Sequence, residues 1–403
     1  MNRRRKARIT AAIAVLLALL SPAASAAIVW GPYVTNTSES SAVITWRTAS
    51  PVEGWAEYDT PGCGETYRIP SGKGTIHRVL LTDLVPATTY HYRVGTGDET
   101  TGDCRFKTFG DEVFTCIIYG DTRAQKPYFA QAERHGLVAE RIAAEEDILF
   151  VIHTGDFVCD EEEWDEFFSV AGPVLRNTTL VPVAGNHEGS AEAFSAIFSL
   201  PTYYSFDAGS LHVTVLDSND WAWPDMDTQT AWLEEDLVSP FPWKIAAFHH
   251  PPFSSDRKHP GGNQAIRAEW CDILSENDVD AVVSAHTHAY ERYRMDGTEY
   301  FVIGCGGAPF YPLAEEKPEG HQTGREQTLG YLRVTVSPES IVMEMVPVAE
   351  IAEDGKATMH PAGTVIDAVR VPADAAPLQE ASAGWWVVPA TLLGGAALSR
   401  LRR

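Results

Sequence analysis

No two of the six cysteines stand as a CxxC pair, which argues against a structural zinc site. No internal repeat appears, and positive charge is scarce: 31 Lys and Arg against 55 Asp and Glu leave a net charge of −24. A surface this acidic repels nucleic-acid backbones, so no nucleic-acid partner is expected. The apolar run Ile9–Leu20 is shorter than the roughly 20 residues needed to span a bilayer. It follows MNRRRKAR and precedes Ala24-Ser25-Ala26, a small-residue cleavage pattern, so residues 1–26 read as a secretory signal peptide. Removing them takes away five basic residues and leaves 26 against 55, a net charge of −29. Outside the cell a disulfide is permissible, and Cys63 and Cys104 lie close enough in sequence to be a candidate pair.

What remains is globular in composition, with 44% hydrophobic and 21% charged residues, and 403 residues suffice for two domains. Residues 27–109 alternate short β-type segments with turns and show no helical period. From about residue 110 the pattern becomes strand, loop, helix, with helical spacing over Tyr128–Glu146, Thr228–Leu237 and Asn263–Ser275. Residues 110–371 therefore read as an α/β domain of two packed sheets with outer helices. Residues 372–384 read as a linker, and 385–403 as a hydrophobic tail ending in Ser-Arg-Leu-Arg-Arg, of the kind that sorts or anchors an exported chain at a membrane.

Five apolar runs in the second domain, Val113–Tyr119, Ile148–His153, Thr179–Ala184, Lys244–Phe248 and Val279–Ser284, have the length and Ile/Val content of buried strands. Each is followed by residues able to ligate a metal: Asp121, Asp156, Asn186, His249, and the pair His286 and His288. Ligands of open α/β sheets bind at the carboxyl ends of strands, so these loops should converge on one edge. Taken singly, such residues are commonplace as turn formers or core histidines. Six in succession point to a metal cluster.

Taken together, YGDTR, HTGDFVCD, AGNHE, FHHPPFSSDRKH and SAHTHAYER resemble the calcineurin-like metallophosphoesterase superfamily, and most nearly the purple acid phosphatases. In the first domain, Leu84–Val94 resembles the tyrosine corner of fibronectin type III domains, which implies an N-terminal all-β sandwich. The resemblance implies two metal ions, iron, manganese or zinc. Asp156 would bridge them, Asp121 and His288 would hold the first, and Asn186, His249 and His286 the second. His250 competes with His249 for one position, and the family alignment favours His249. The resemblance further implies hydrolysis of phosphomonoesters by in-line attack of a metal-bound hydroxide, with His187 near the leaving group and Asn186 and His259 facing the substrate.

Two positions depart from the family. Arg123 stands where metallophosphoesterases commonly place a further histidine ligand, and Cys159 where purple acid phosphatases place the tyrosine responsible for their colour. Arg123 offers a donor fork suited to phosphate, or alternatively an ion pair with Asp160 or a nearby glutamate. Cys159 is an alternative thiolate ligand. A small phosphate ester is the expected partner. The alternatives left open are a phosphodiesterase or nucleotidase on the same site, and a non-catalytic cell-surface binding protein with a degenerate metal site.

Overall fold

The computed structural model describes residues 27–60, 64–97 and 99–373, together with the backbone of Trp385–Trp386. The expected signal peptide, most of the linker, most of the hydrophobic tail and Cys63 lie outside the described residues.

The N-terminal domain is all β: β1 (Ile28–Thr35), β2 (Ala42–Thr60), β3 (Glu65–Leu81), β4 (Thr89–Thr96), β5 (Glu99–Thr100) and β6 (Cys104–Lys107). Two of the short β-type segments, Ala42–Arg47 and Gly54–Tyr58, are halves of the single strand β2. Its first half pairs with β1 and its second with β4, and the register shifts between Arg47 and Val52. Strands that bend this way let one hairpin serve both layers of a sandwich. Alternate residues of these strands, among them Ile44, Trp46, Ala56, Tyr92 and Phe106, fill the core between the layers. The tyrosine corner is present, with the Val85 N–H donating to the Tyr90 hydroxyl at 2.8 Å.

The second domain continues with β7 (Phe114–Tyr119), α1 (Gln131–Ala143), β8 (Ile148–His153), α2 (Trp164–Leu175), β9 (Thr179–Pro182) and α3 (Ala191–Phe198). There follow β10 (Tyr204–Ala208), β11 (Leu211–Val215), α4 (Met226–Asp236), β12 (Trp243–Ala247), α5 (Gln264–Glu276), β13 (Ala281–Ser284), β14 (Tyr290–Met295) and β15 (Thr298–Ile303). The chain closes with β16 (His321–Arg325), β17 (Thr328–Ser337), β18 (Ser340–Ile351), β19 (Ala357–Met359), β20 (Asp367–Pro372) and β21 (Trp385–Trp386). Pro372, expected to open the linker, instead ends β20 on the edge of β18.

Two sheets face each other. One carries the parallel strands β7, β8 and β9, and the other β11, β12, β13 and β15. Their facing sides share one apolar core containing Ile117, Phe150, Val181, Val213, Ile245 and Val283. β1 joins the domains, because Val34 pairs with Thr179 of β9 and makes the N-terminal strands continuous with the first sheet. No described helix is long and apolar enough to cross a membrane.

Candidate metal centre

The six expected ligands come from loops that leave five parallel strands at the same end of the two sheets. Three of them, Asp121, Asp156 and His286, have left-handed backbone, with φ of 54°, 55° and 64°. Such strain in residues other than glycine gathers at sites where the surroundings over-determine the geometry. The GN and GD turns leave no room for a side chain: a Cβ on Gly185 would stand 2.3 Å from the Asp156 nitrogen, and one on Gly155 would stand 2.6 Å from His249 Nδ1. The glycines therefore let the Asp156 and Asn186 loops touch.

Around this contact the ligand atoms converge. His249 Nε2 lies 3.3 Å from Asp156 Oδ1 and 3.1 Å from Asn186 Oδ1, while His286 Nδ1 lies 2.9 Å from the same Asn186 oxygen. On the other side, Asp121, Asp156 and His288 present donor atoms within 4.8 Å of one another, with His288 Nε2 3.7 Å from Asp121 Oδ1. Asp156 thus stands between the two halves, as its expected bridging role requires.

The donors are in the state a cation needs. His249 Nδ1 donates to the Thr154 carbonyl at 2.8 Å and His288 Nδ1 to the Pro309 carbonyl, which leaves each Nε2 lone pair turned inward. Burial lowers the basicity of His249 and His286, and burial with Arg123 brings His288 down to about 3, so the imidazoles are neutral at physiological pH. Burial and the neighbouring Asp156 hold Asp121 well above the usual carboxylate range. Both Asp121 oxygens are buried without a hydrogen-bond partner. A buried carboxylate with no donor is costly, and a cation between Asp121, Asp156 and His288 would satisfy it. The residues present fit a pair of metal ions, carboxylate-rich on the first side and imidazole-rich on the second.

His250 completes a triad of ligand atoms with His249 and His286, but its Nδ1 is engaged by Ser218 Oγ at 3.0 Å. Glu188, on the GNHE turn, does not orient the His187 ring. Its carboxylate accepts from the backbone N–H groups of Gly185, Asp156 and Phe157 at 2.7, 3.1 and 2.9 Å, and so fixes the Asp156 loop. Burial raises Glu188 to about 8.

The substrate-facing residues surround this centre. His187 Nε2 stands 3.8 Å from Asp156 Oδ2, with its Nδ1 3.3 Å from the Cys159 carbonyl. The Arg123 guanidinium turns to Asp156 rather than Asp160: its Nε is 3.7 Å from Asp156 Oδ2 and has no hydrogen-bond partner. Cys159 is absent from both groups of metal-donor atoms found among the described residues. His259 lines a cavity of about 230 Å³ with His250, Pro251 and His286.

Sequence reasoning missed Asp256, fully buried, which holds His259 Nδ1 at 2.6 Å. It also missed Tyr311, whose ring stacks on His288 with centroids 4.1 Å apart. Glu291 braces the Ser254–Ser255 turn, accepting from Ser254 Oγ at 2.7 Å and from the Ser255 N–H at 3.0 Å. The spacing Asp-x-x-His in SSDRKH was the one available signal for the Asp256–His259 pair.

Comparison with known proteins agrees with this geometry. Residues 114–290 match the family described as calcineurin-like phosphoesterase, and residues 17–108 match the purple acid phosphatase N-terminal domain. Purple acid phosphatase 23 of Arabidopsis thaliana is 28% identical over 298 residues, 58% of this chain and 63% of that protein. Purple acid phosphatase 22 of the same plant is 26% identical over 321 residues, 70% of this chain and 71% of the other. The fold is that of a purple acid phosphatase from yellow lupin seeds, with a TM-score of 0.72 at 18% identity over 85% of this chain and 74% of the lupin one. The family matches, with the converging donor groups, thus define a metallophosphoesterase of the purple acid phosphatase kind. Residues 114–290 carry a calcineurin-like metallophosphoesterase domain, behind a purple acid phosphatase N-terminal domain at residues 17–108.

Proposed function

We propose that the protein is an exported phosphoesterase that hydrolyses phosphomonoesters with two bound metal ions. The observation that carries this reading is the buried Asp121 carboxylate, without a donor of its own and facing Asp156 and His288. Such a metal pair would supply an activated water and a clamp on a phosphate oxygen. The chain's own residues would do the rest. Arg123, with its Nε unsatisfied beside Asp156, would receive a phosphate oxygen through its donor fork. His187 stands beside the bridging carboxylate and would donate a proton to the departing alkoxide. His259, held by Asp256, would face the substrate from the second-metal side. Export is inferred from the sequence of residues 1–26, and surface attachment from residues 385–403.

The reading as a non-catalytic binding protein has one observation in its favour: a guanidinium, which cannot ligate, stands 3.7 Å from the bridging carboxylate. One experiment separates the two. Metal content would be measured on the purified protein, with turnover of p-nitrophenyl phosphate and bis-p-nitrophenyl phosphate on the same sample. Two metals per chain and faster monoester turnover are expected, with metal lost in Asp156→Asn and, at full metal content, turnover of an alkyl phosphate lost in His187→Ala. A faster diester rate would shift the reading to a phosphodiesterase. No turnover after adding manganese, iron or zinc would leave the binding protein.

A further inference from the structure

The loop after β15 and the loop carrying His259 are tied into one wall of the site. Asp256 bridges to Leu313, the Arg257 N–H donates to the Pro312 carbonyl at 3.0 Å, and the Ala314 N–H donates to the Ser255 carbonyl at 2.7 Å. Arg257 Nε adds a bond to the Leu313 carbonyl at 3.1 Å, and Lys317 Nζ reaches Ser255 Oγ at 3.1 Å. This ladder fixes Lys258 against Tyr311.

The result is a layered stack. Tyr311 lies on His288 at 4.1 Å with 18° between the ring planes, and the Lys258 ammonium sits 3.6 Å from the centre of the Tyr311 ring. Both contacts are too close for the two partners to share one face of the tyrosine, so the order is metal-ligand ring, phenol ring, ammonium. Tyr311 is half-buried and Lys258 exposed.

In a chain of net charge −24 a cation would ordinarily find a carboxylate, yet Lys258 makes no ion pair among the described residues. The adjacent carboxylate is already committed. Asp256 takes the Lys258 and His259 backbone N–H groups at 3.0 and 3.2 Å as well as the His259 ring. An unneutralised cation over the Tyr311 ring, one aromatic ring away from His288, is placed to meet an anion that a substrate carries beyond its reacting phosphate.

We propose that Lys258 and Tyr311 form a subsite for a second anionic group, so that the substrates preferred are organic phosphates bearing a further phosphate or carboxylate. This rests on the proposed phosphoesterase reading. It is tested by calorimetric titration of the manganese-loaded protein with butylphosphonate, with its analogue ending in a carboxylate, and with its analogue ending in a second phosphonate. Hydrolysis of p-nitrophenyl phosphate would be followed on the same sample. The wild type should bind the doubly anionic ligands more tightly than butylphosphonate. K258M should reduce that preference about fivefold at low salt, the size of an exposed charge contact. High salt should erase the difference. A loss confined to the diphosphonate would identify a phosphate as the second group, and a loss for both analogues would mean that any anion serves. An unchanged preference in K258M would overturn the proposal. Because the titration needs no turnover, absent hydrolysis would count against the phosphoesterase reading alone.

Discussion

Raising the pH through 9 should remove a definite piece of folding stability, located at His212. This imidazole on β11 is buried between Asp207 of β10, at 2.7 Å, and Asp236 at the end of α4, at 3.0 Å. Asp236 also accepts from Ser205 Oγ at 2.5 Å and Thr214 Oγ1 at 2.7 Å, while Phe241 stacks beside the ring at 6.4 Å. Glu39 is the further acid near Asp207. Burial alone would push the imidazole down, but the two carboxylates outweigh it and raise His212 from 6.5 to about 9. A group whose folded pKa lies above its unfolded value stabilises fully below the unfolded pKa, and the contribution is lost as pH rises through the folded one. The shift is worth about 3 kcal/mol, present below pH 6.5 and gone above 9. Urea unfolding of metal-free wild type and His212→Gln at pH 6 and pH 10 would measure it. The stability gap between them should be about 3 kcal/mol smaller at the higher pH. A gap independent of pH would show that the histidine is neutral in the fold, and the reasoning would fail.

Two further outcomes concern the site itself. Gly185→Ala would drive a methyl group to 2.3 Å from the Asp156 nitrogen and 2.5 Å from its Oδ1, so it should cost about 2 kcal/mol in stability. It should also lower the metal-to-protein ratio after dialysis, and full metal retention would show that the turn can relax. Asp256→Asn should release the His259 ring that faces the substrate, raising KM about threefold for alkyl phosphates and p-nitrophenyl phosphate alike with kcat little changed. An unchanged KM on both would mean that Asp256 only holds its loop.

The strands of the second domain, and the places of the candidate ligands at their ends, were legible in the sequence because each rests on a local pattern. Ile148–His153 is a strand in the structure with the bounds read from its apolar run, and all six metal-ligand candidates lie at the strand ends where the runs stop. Helix α5 begins one residue inside the expected segment because Asn263 serves as its cap, accepting from the Ala265 and Ile266 N–H groups. Other features depend on partners far along the chain and leave no local trace. β1 pairs with both β2 and β9, and nothing near Val34 announces Thr179. Glu291 reaches back to the Ser254–Ser255 turn, while its neighbours Tyr290 and Arg292 bind Asp367. Tyr311 stands in a loop whose meaning comes only from stacking on His288.

Arg123 shows where residue type runs out as a guide and geometry decides. In sequence its two readings are balanced, a phosphate contact or an ion pair with Asp160 or a nearby glutamate. The structure turns the guanidinium to Asp156 and leaves its Nε unsatisfied, so its charge acts on the metal centre. A guanidinium in the place of a histidine ligand removes a lone pair and adds a positive charge. Its effect on the two kinds of ligand would therefore be opposite in sign: it would repel a cation held by Asp121, Asp156 and His288, and attract a phosphate approaching the same carboxylate-rich pocket. Asn186, His249 and His286 feel less of that repulsion, because Asp156 stands between them and Arg123. The two halves of the centre are thus unequal, the second built from neutral donors, the first from carboxylates partly neutralised by Arg123. A bound phosphate dianion would offset the guanidinium and make the first half more receptive to its ion, so substrate and first metal should favour one another's binding.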